Sequence, residues 1–128
     1  MDKIIIKTDK APQAIGPYSQ GVKVENRGLI FVSGQIPINP ESGGLVSGSI
    51  GEETRQVLKN LKAILEEAGS GLDKVVKTCV FLKNMDDFAE MNQVYSEFFQ
   101  KDPPARSTVE VSRLPKGVRI EVEATAYF

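Results

Sequence analysis

The residue types best suited to chemistry lie near the C-terminal end of the chain, in two stretches where polar and apolar side chains alternate. In the first stretch, alternation along a strand places Arg106 and Thr108 on one face. In the second stretch, the same rule places Glu121 and Glu123 together. An arginine fork, a hydroxyl group and carboxylates can together hold a substrate carboxylate and move a proton or a water molecule.

The loop between the two stretches, residues 113–117, contains the proline and the glycine that a chain reversal needs. We therefore expect the two strands to pair as a hairpin, with Thr108 opposite Glu121 and Arg106 opposite Glu123. Spacing alone leaves two interpretations open. The face is either a solvated surface whose cross-strand ion pairs each contribute little, or a carboxylate-binding arginine beside an acid that handles a proton or a water molecule.

Two more polar side chains are candidates for a site. On a helical wheel, Asn92 falls about 40° from Phe88, at the edge of the predicted buried stripe. It is either a boundary amide bonded to backbone or water, or a site residue. Tyr18 follows residues 11–17, a loop shaped by two prolines and a glycine. Its ring is either an ordinary half-buried aromatic or part of a pocket wall.

The composition excludes several classes of enzyme. The chain has no histidine and a single cysteine, Cys79. Disulfides, zinc sites built from Cys and His, Ser-His-Asp triads and Cys-His pairs are therefore excluded. The acidic residues form no close Asp-x-Asp cluster, so we expect no metal. Cys79 lies in a predicted strand, and we expect it to be a core residue and not a nucleophile.

Charge and hydropathy limit the partners. Sixteen basic and seventeen acidic residues leave a net charge of -1, which provides no positive field to attract nucleic acid. No window approaches the roughly 18 apolar residues that a membrane span needs, and the N-terminal residues lack the apolar core of a signal peptide. With one unpaired cysteine, we expect a cytoplasmic protein with neither a membrane nor a nucleic-acid partner.

Hydrophobic periodicity predicts the elements that must position these residues. At 128 residues, we expect one domain over residues 1–128. The predicted order is β, β, β, α, β, α, β, β, which is typical of an α+β fold with both helices on one face of an antiparallel or mixed sheet. The predicted strands cover residues 4–6, 18–24, 29–33, 76–83, 106–111 and 118–126.

Local signals mark the ends of these elements. A turn at 26–28 predicts that the second and third strands form a hairpin. Ser49 and Glu52 have the spacing of a capping box at the start of the first helix, and Gly69 supplies its left-handed end. The second helix is predicted to begin near residues 84–86 and to stop before the Pro-Pro pair.

Five separated strings of this sequence closely resemble the RidA branch of the Rid (YjgF) family of reactive intermediate deaminases. They occur in the same order and span almost the whole chain. The strings are Ala-Ile-Gly-Pro-Tyr-Ser-Gln (14–20), Val-Ser-Gly-Gln-Ile-Pro (32–37), Pro-Ala-Arg-Ser-Thr-Val-Glu-Val (104–111), Arg-Leu-Pro (113–115) and Ile-Glu-Val-Glu-Ala (120–124).

The resemblance implies a homotrimer with a chorismate-mutase-like α+β fold and with active sites in clefts between subunits. It implies hydrolysis of enamines and imines such as 2-aminoacrylate and 2-aminocrotonate to 2-keto acids and ammonia, without metal or cofactor. Some relatives are described as translation inhibitors with endoribonuclease activity, and others as regulators that bind small ligands. The near-zero net charge disfavours endoribonuclease activity. The regulator remains an open alternative, because a ligand-binding regulator would use the same pocket.

The resemblance also implies roles for individual residues. Arg106 is similar to the family residue that pairs with the substrate carboxylate, and Glu121 to the residue that orients or activates the attacking water. The remaining pocket positions are Tyr18, Ser33, Gly34, Asn92 and Thr108. Many members have cysteine where this chain has Thr108. Because that position is thought to act largely through its backbone, we expect activity to survive the difference, without regulation through a thiol.

Overall fold

The computed structural model describes residues 3–10 and 13–128, so the predicted loop at 11–17 lies partly outside the described residues. The described part contains six strands and two helices in the predicted order. None of its helices is long and apolar enough to span a membrane. The strands are β1 (Lys3–Ile6), β2 (Gly21–Val24), β3 (Leu29–Gln35), β4 (Val75–Leu82), β5 (Ala105–Glu110) and β6 (Ile120–Tyr127), and the helices are α1 (Ile50–Glu67) and α2 (Phe88–Phe98).

The strands form two sheets. A small sheet contains β1 and β2, and the main sheet has the strand order β3-β6-β4-β5. In the main sheet β6 is antiparallel to both of its neighbours, whereas β5 runs parallel to β4. The two helices pack against one face of this mixed sheet and against each other. The predicted α+β class, with two helices on one face, is confirmed.

The predicted hairpin of the last two strands is wrong, because β4 lies between β5 and β6. Arg106 pairs with Thr78 of β4, whereas Glu121 and Glu123 pair with β4 from its opposite side. The two predicted cross-strand pairs, Arg106 with Glu123 and Thr108 with Glu121, therefore do not form.

The loop between β5 and β6 is long enough to cross the end of β4. The N–H of Val111 donates to the carbonyl oxygen of Leu82 at 2.9 Å, and the N–H of Lys83 donates to that of Arg119 at 3.0 Å. The loop thus bonds to the end of β4 from both sides. The proline and glycine do reverse the chain, in a 3-10 turn at Pro115–Gly117, but the reversal brings the chain back one strand further away than predicted.

The predicted hairpin of β2 with β3 is also wrong. β2 pairs with β1, with Ile5 opposite Val22. β3 instead joins the main sheet beside β6, with Val32 opposite Ala124. The predicted turn is present, since Asn26 has a φ of 52°, but it passes the chain from one sheet to the other. The β-branched N-terminal strand supplies the partner that β2 would otherwise have found in β3.

The helix α1 forms where its local signals predict. The Ser49 hydroxyl accepts the N–H of Glu52 at 3.1 Å, and the Glu52 carboxylate accepts the N–H of Ser49 at 3.2 Å, so the capping box is present. Gly69, at a φ of 78°, ends the helix in a Schellman motif in which the N–H of Ser70 donates to the carbonyl oxygen of Leu65.

The core lies between the helices and one face of the main sheet. Its fully buried members include Val57, Leu58, Leu61, Leu65, Val80, Leu82, Met91, Tyr95, Ile120 and Val122. The opposite face of the sheet is open in the single chain. On that face Phe31 is 76% exposed and Val109 is 44% exposed. Apolar side chains in this position are typical of a surface that another protein chain covers.

An ion pair between a buried carboxylate and a partly exposed arginine fixes the start of β6. The carboxylate of Glu53, in α1, is 5% exposed, accepts a hydrogen bond from Nε of Arg119 and forms an ion pair with its Nη2 atom. It also accepts the backbone N–H of Arg119 at 3.3 Å, and Nη2 donates to the carbonyl oxygen of Gly48. Because Arg119 comes two residues before Glu121, this pair sets the position of the strand that carries Glu121.

We predict that Arg119→Met lowers the free energy of unfolding by about 3 kcal/mol, because it leaves the Glu53 carboxylate buried without its charged partner. Arg55→Met is the matched control. Its ion pair with Glu97 is exposed at both ends, so its loss costs less than about 1 kcal/mol. Urea unfolding at pH 7 and one fixed protein concentration measures both variants. Equal effects of the two substitutions would contradict a structural role for the pair of Glu53 with Arg119.

Candidate functional site

Arg106 is enclosed by aromatic side chains on the helix-covered face of β5. Its guanidinium carbon lies 4.7 Å from the centre of the Tyr95 ring. The ring centres of Phe88 and Tyr18 lie 5.6 Å and 5.8 Å from the same carbon. The Nη1 atom donates a 2.7 Å hydrogen bond to Oδ1 of Asn92. Ring faces attract a cation and the amide fixes its rotation, so the guanidinium group is held in one orientation.

The helix α2 supplies three of these contacts from one face. Phe88, Asn92 and Tyr95 are spaced at i, i+4 and i+7, which places them on adjacent turns above Arg106. Asn92 is half-buried at the edge of this face, as the wheel predicts. Its amide oxygen accepts from the charged side chain of Arg106 and not from backbone.

The loop that carries Tyr18 is fastened to the residues that lead into β5. The N–H of Ser19 donates to the carbonyl oxygen of Pro104 at 3.0 Å, and the Ser19 hydroxyl donates to that of Pro103. The N–H of Tyr18 donates to the carbonyl oxygen of Gly16 at 2.8 Å, which makes a tight turn. The ring of Tyr18 is thereby held beside the guanidinium group of Arg106.

Arg106 forms no ion pair with a carboxylate among residues 3–10 and 13–128. Its partner there is the neutral amide of Asn92. Burial lowers the pKa of Arg106, while the neighbouring hydroxyls of Tyr95 and Tyr18 act in the opposite direction. An arginine nevertheless keeps its proton in proteins. A partly dehydrated cation without a counter-charge is unfavourable, so this position favours the binding of an anion.

Two hydrogen-bond donors, one from Arg106 and one from Asn92, lie near Gly16. The point that a Cβ atom would occupy on Gly16 lies 3.9 Å from Nη2 of Arg106 and 3.9 Å from Nδ2 of Asn92. Because Oδ1 of Asn92 already accepts from Arg106, its amino group faces this point. An acceptor oxygen in the space beside Gly16 can approach both nitrogens. The arrangement suits a carboxylate.

A hydrogen bond beneath the site fixes the ring that supports the guanidinium group. The hydroxyl oxygens of Tyr95 and Thr78 lie 2.7 Å apart in the core, and Thr78 pairs directly with Arg106 across β4 and β5. Burial raises the pKa of Tyr95 to about 12, while the bond to Thr78 and the charge of Arg106 act in the opposite direction. Tyr95 therefore remains neutral across the physiological range.

We predict that the thermal midpoint of the protein falls more steeply between pH 10 and pH 12 than that of Tyr95→Phe. In an unfolded chain, tyrosine loses its proton near pH 10, whereas folded Tyr95 keeps it to about pH 12. Ionisation in this window therefore favours unfolding. The variant keeps the ring and has no such proton. Circular dichroism melts from pH 8 to pH 12 measure both, and parallel slopes would contradict the prediction.

Glu121 lies on the other face of the main sheet. Its neighbours in β6, Ile120 and Val122, are buried against the helices, so alternation directs Glu121 to the open face. Its carboxylate lies over Gly34 of β3, where any Cβ atom would overlap its Oε2 atom. Ser33 precedes Gly34 and is exposed. These three residues form a second group, which one chain does not join to Arg106.

The remaining predicted residues divide in the same way. Thr108 lies on the face of Arg106, and its hydroxyl oxygen is buried without a hydrogen-bond partner within the described part of the chain. Cys79 lies on the open face beside Glu123. Burial and the charge of Glu123 raise the pKa of the Cys79 thiol, so it is not an activated nucleophile.

The sequence analysis missed three residues of the Arg106 group. Phe88 was expected only as part of the buried stripe of the second helix, and Tyr95 was not singled out, although their spacing with Asn92 places all three on one helical face. Gly16 carries no side chain that could signal a role. Its proximity to Arg106 follows from the packing of the loop against β5 and from no local pattern.

Comparison with known proteins places this architecture in a class. Residues 8–128 match a family model described as Endoribonuclease L-PSP. The chain is 61% identical to a RutC family protein of Pyrococcus abyssi over 127 residues, covering 99% of this chain and 98% of the relative. It is 50% identical over 122 residues to a human protein named 2-iminobutanoate/2-iminopropanoate deaminase, covering 95% and 88% of the two chains.

Solved structures agree with this result. A Thermotoga maritima protein described as a putative endoribonuclease has 56% identity and a TM-score of 0.77, covering 98% of this chain and 97% of that one. The YjgF gene product of E. coli has 48% identity and a TM-score of 0.74, covering 97% and 98%. The fold is therefore the α+β architecture of YjgF-type proteins, which is chorismate-mutase-like. The chain belongs to the Rid (YjgF/RutC) family, as its five strings predict.

Proposed function

We propose that this protein hydrolyses reactive 2-imino acids and their enamine tautomers, such as 2-aminoacrylate and 2-aminocrotonate, to 2-keto acids and ammonia. The observation that carries the proposal is the enclosed guanidinium group of Arg106, which has no acidic partner in the described part of the chain and shares a converging pair of donors with Asn92. These substrates carry a carboxylate next to the reacting carbon, and the donor pair suits that carboxylate.

The proposed reaction requires little from the protein beyond the positioning of the substrate and a water molecule. The carbon of an imine is already electrophilic, so a positioned water can add to it once the adjacent carboxylate is held. As the C–O bond forms, the electrons of the C=N bond move to nitrogen, which takes up a proton, and a carbinolamine results. The C–N bond then breaks as the hydroxyl loses its proton and the nitrogen gains one, which gives ammonia and the 2-keto acid. Glu121 is the proposed group that orients the water and accepts its proton. Such a reaction uses neither histidine nor a bound cofactor.

The separation of Arg106 from Glu121 leads to a proposed assembly. The two side chains lie on opposite faces of the sheet within one chain, so a site that uses both needs a second copy. The exposed Phe31 and Val109 give the open face the apolar character of a subunit interface. We propose a homotrimer in which the Arg106 group of one subunit meets the Glu121 group of its neighbour.

The names of relatives support the same substrate class. The mouse relative, 49% identical, is also named 2-iminobutanoate/2-iminopropanoate deaminase. A solved structure of E. coli TdcF, 42% identical with a TM-score of 0.75, contains bound serine. Serine has the carboxylate and the short side chain of these imino acids, so a ligand of this size and charge fits the proposal.

Two alternative functions, a ligand-binding regulator and an endoribonuclease, differ from the deaminase in their products. A Lactococcus lactis relative, 56% identical, is named a putative regulator, and a regulator would bind the 2-keto acid without releasing ammonia from the imine. An endoribonuclease would cleave RNA. The net charge of -1 does not favour that activity, and no hydrogen-bonded acid and base pair adjoins Arg106 in the described residues.

The direct test is the release of ammonia from freshly generated 2-aminoacrylate, with and without the protein. We expect the protein to accelerate release, and we expect Arg106→Lys to lower kcat/KM by roughly 10- to 100-fold. Lysine keeps the charge but loses the fork that bonds a planar carboxylate. The loss should fall mainly on KM, and on kcat as well where the fork aligns the imine carbon with the water. An unchanged rate would contradict the assignment of Arg106.

Glu121→Gln tests the second group. It keeps the size of the side chain and one acceptor oxygen but removes the base, so we expect kcat to fall by roughly 10²- to 10⁴-fold with little effect on KM. Light scattering of the same samples should give about 42 kDa, three times the 14.0 kDa of one chain. A stable, fully active monomer would contradict the shared site, because one chain does not bring Glu121 to Arg106.

A further inference from the structure

We infer that Gly16 determines the ligand specificity of the Arg106 site, because the absence of a side chain at this position leaves the space that a carboxylate oxygen must occupy. The inference rests on the proposed function for its ligand, a small 2-keto or 2-imino monocarboxylate. It assigns a role to a residue that has no functional group of its own.

The backbone does not require glycine at this position. The φ of Gly16 lies outside the left-handed region, unlike those of Gly43 and Gly69. Neither does packing require glycine. A Cβ atom on Gly16 would make ordinary van der Waals contacts of 3.8 to 3.9 Å. At Gly28 and Gly34, by contrast, it would overlap a neighbouring side chain. Conformation and packing thus leave the missing side chain unexplained.

The space beside Gly16 is bordered by the donors that an anion requires. Three atoms surround the point that a Cβ atom would occupy: Nη2 of Arg106 at 3.9 Å, Nδ2 of Asn92 at 3.9 Å and Cδ1 of Tyr18 at 3.8 Å. Two of them are hydrogen-bond donors. An oxygen in contact with the Cα of Gly16, at the roughly 3.3 Å of a Cα–H···O approach, would overlap a methyl group at this point and can accept from both nitrogens.

A methyl group at the same point would contact both donors and accept from neither. It would keep the carboxylate oxygen away from the nitrogens, since a carbon and an oxygen cannot share this space. The Gly16→Ala variant should therefore fold normally and lose the ligand. Normal folding together with loss of binding in Gly16→Ala would show that Gly16 acts on the ligand and not on the fold.

The experiment measures the binding of 2-oxobutanoate by titration calorimetry in a buffer free of other carboxylates. We expect Gly16→Ala to weaken binding by roughly tenfold or more, because it blocks two hydrogen bonds to a charged group. Its thermal midpoint should equal or slightly exceed that of the unsubstituted protein, since alanine reduces the freedom of the unfolded chain. In the 2-aminoacrylate assay, KM should rise in proportion to the loss of affinity.

Gly44→Ala is the matched control. Gly44 lies in an exposed turn with a φ outside the left-handed region, and the nearest atom to its Cβ position is Oγ of Ser42 at 3.6 Å. This variant makes the same chemical change away from the site. We expect it to bind 2-oxobutanoate with the affinity of the unsubstituted protein.

The outcomes distinguish this inference from the proposed function. If the protein binds 2-oxobutanoate but releases no ammonia, the proposed function fails, and loss of binding in Gly16→Ala still supports the role of Gly16. If Gly16→Ala binds as well as Gly44→Ala, the inference is overturned whether or not the protein is a deaminase. A Gly16→Ala protein that does not fold overturns it too, because the fold then explains the glycine. Failure of the unsubstituted protein to bind 2-oxobutanoate overturns both.

Discussion

The enclosure of the Arg106 guanidinium group is the interaction on which the rest of the site depends. Three aromatic rings surround a cation that pairs with one neutral amide. Burial makes the cation costly without a counter-charge, and the rings prevent the side chain from swinging into solvent. The fold thus maintains a partly dehydrated positive charge, which the carboxylate of the proposed substrate would neutralise.

The elements around this charge each contribute to its position. The edge strand β5 carries Arg106, and its parallel neighbour β4 supplies Thr78, which holds the ring of Tyr95 by a buried hydrogen bond. The face of α2 supplies the amide and two of the rings. The loop that carries Gly16 and Tyr18 is tied to the residues before β5. A helix, two strands and a loop therefore converge on one guanidinium group.

The sheet imposes a second constraint, because it separates Arg106 from Glu121. Side chains of neighbouring residues along a strand point to opposite faces, and the strand order places β4 between the two groups. A reaction that needs both a carboxylate clamp and a base therefore needs two copies of the chain in the proposed assembly. The proposed subunit interface would account for both the open apolar face and the division of the site.

Local signals in the sequence predicted local structure correctly. The capping box of α1, its glycine end, the order of the elements and the boundary position of Asn92 all follow from spacing. The pairing of the strands could not be predicted in this way. Alternation tells which face of the sheet a side chain takes, and it does not tell which strand lies beside it. Parallel pairing of β4 with β5 depends on contacts between distant segments, which no local pattern records.

Some neighbours within the two groups of candidate residues were predicted correctly, and the contact between the groups was not. Arg106, Asn92 and Tyr18 do lie together, and Glu121 lies over Gly34. The predicted contact of Arg106 with the acids failed along with the hairpin on which it depended. The spacing of Tyr95 with Asn92 places both on one face of α2, but it does not show that Arg106 lies beneath them. The proximity of Gly16 to Arg106 arises from packing of the Tyr18 loop, for which the sequence contains no signal.

A crystal structure with bound 2-oxobutanoate would show whether Arg106 and Glu121 of two subunits share one site. We expect one carboxylate oxygen within about 3 Å of both Nη2 of Arg106 and Nδ2 of Asn92. We also expect Glu121 of a neighbouring subunit to face the carbonyl carbon of the ligand. A ligand bound away from Arg106, or one bound there with no Glu121 from a second copy in reach, would contradict the account.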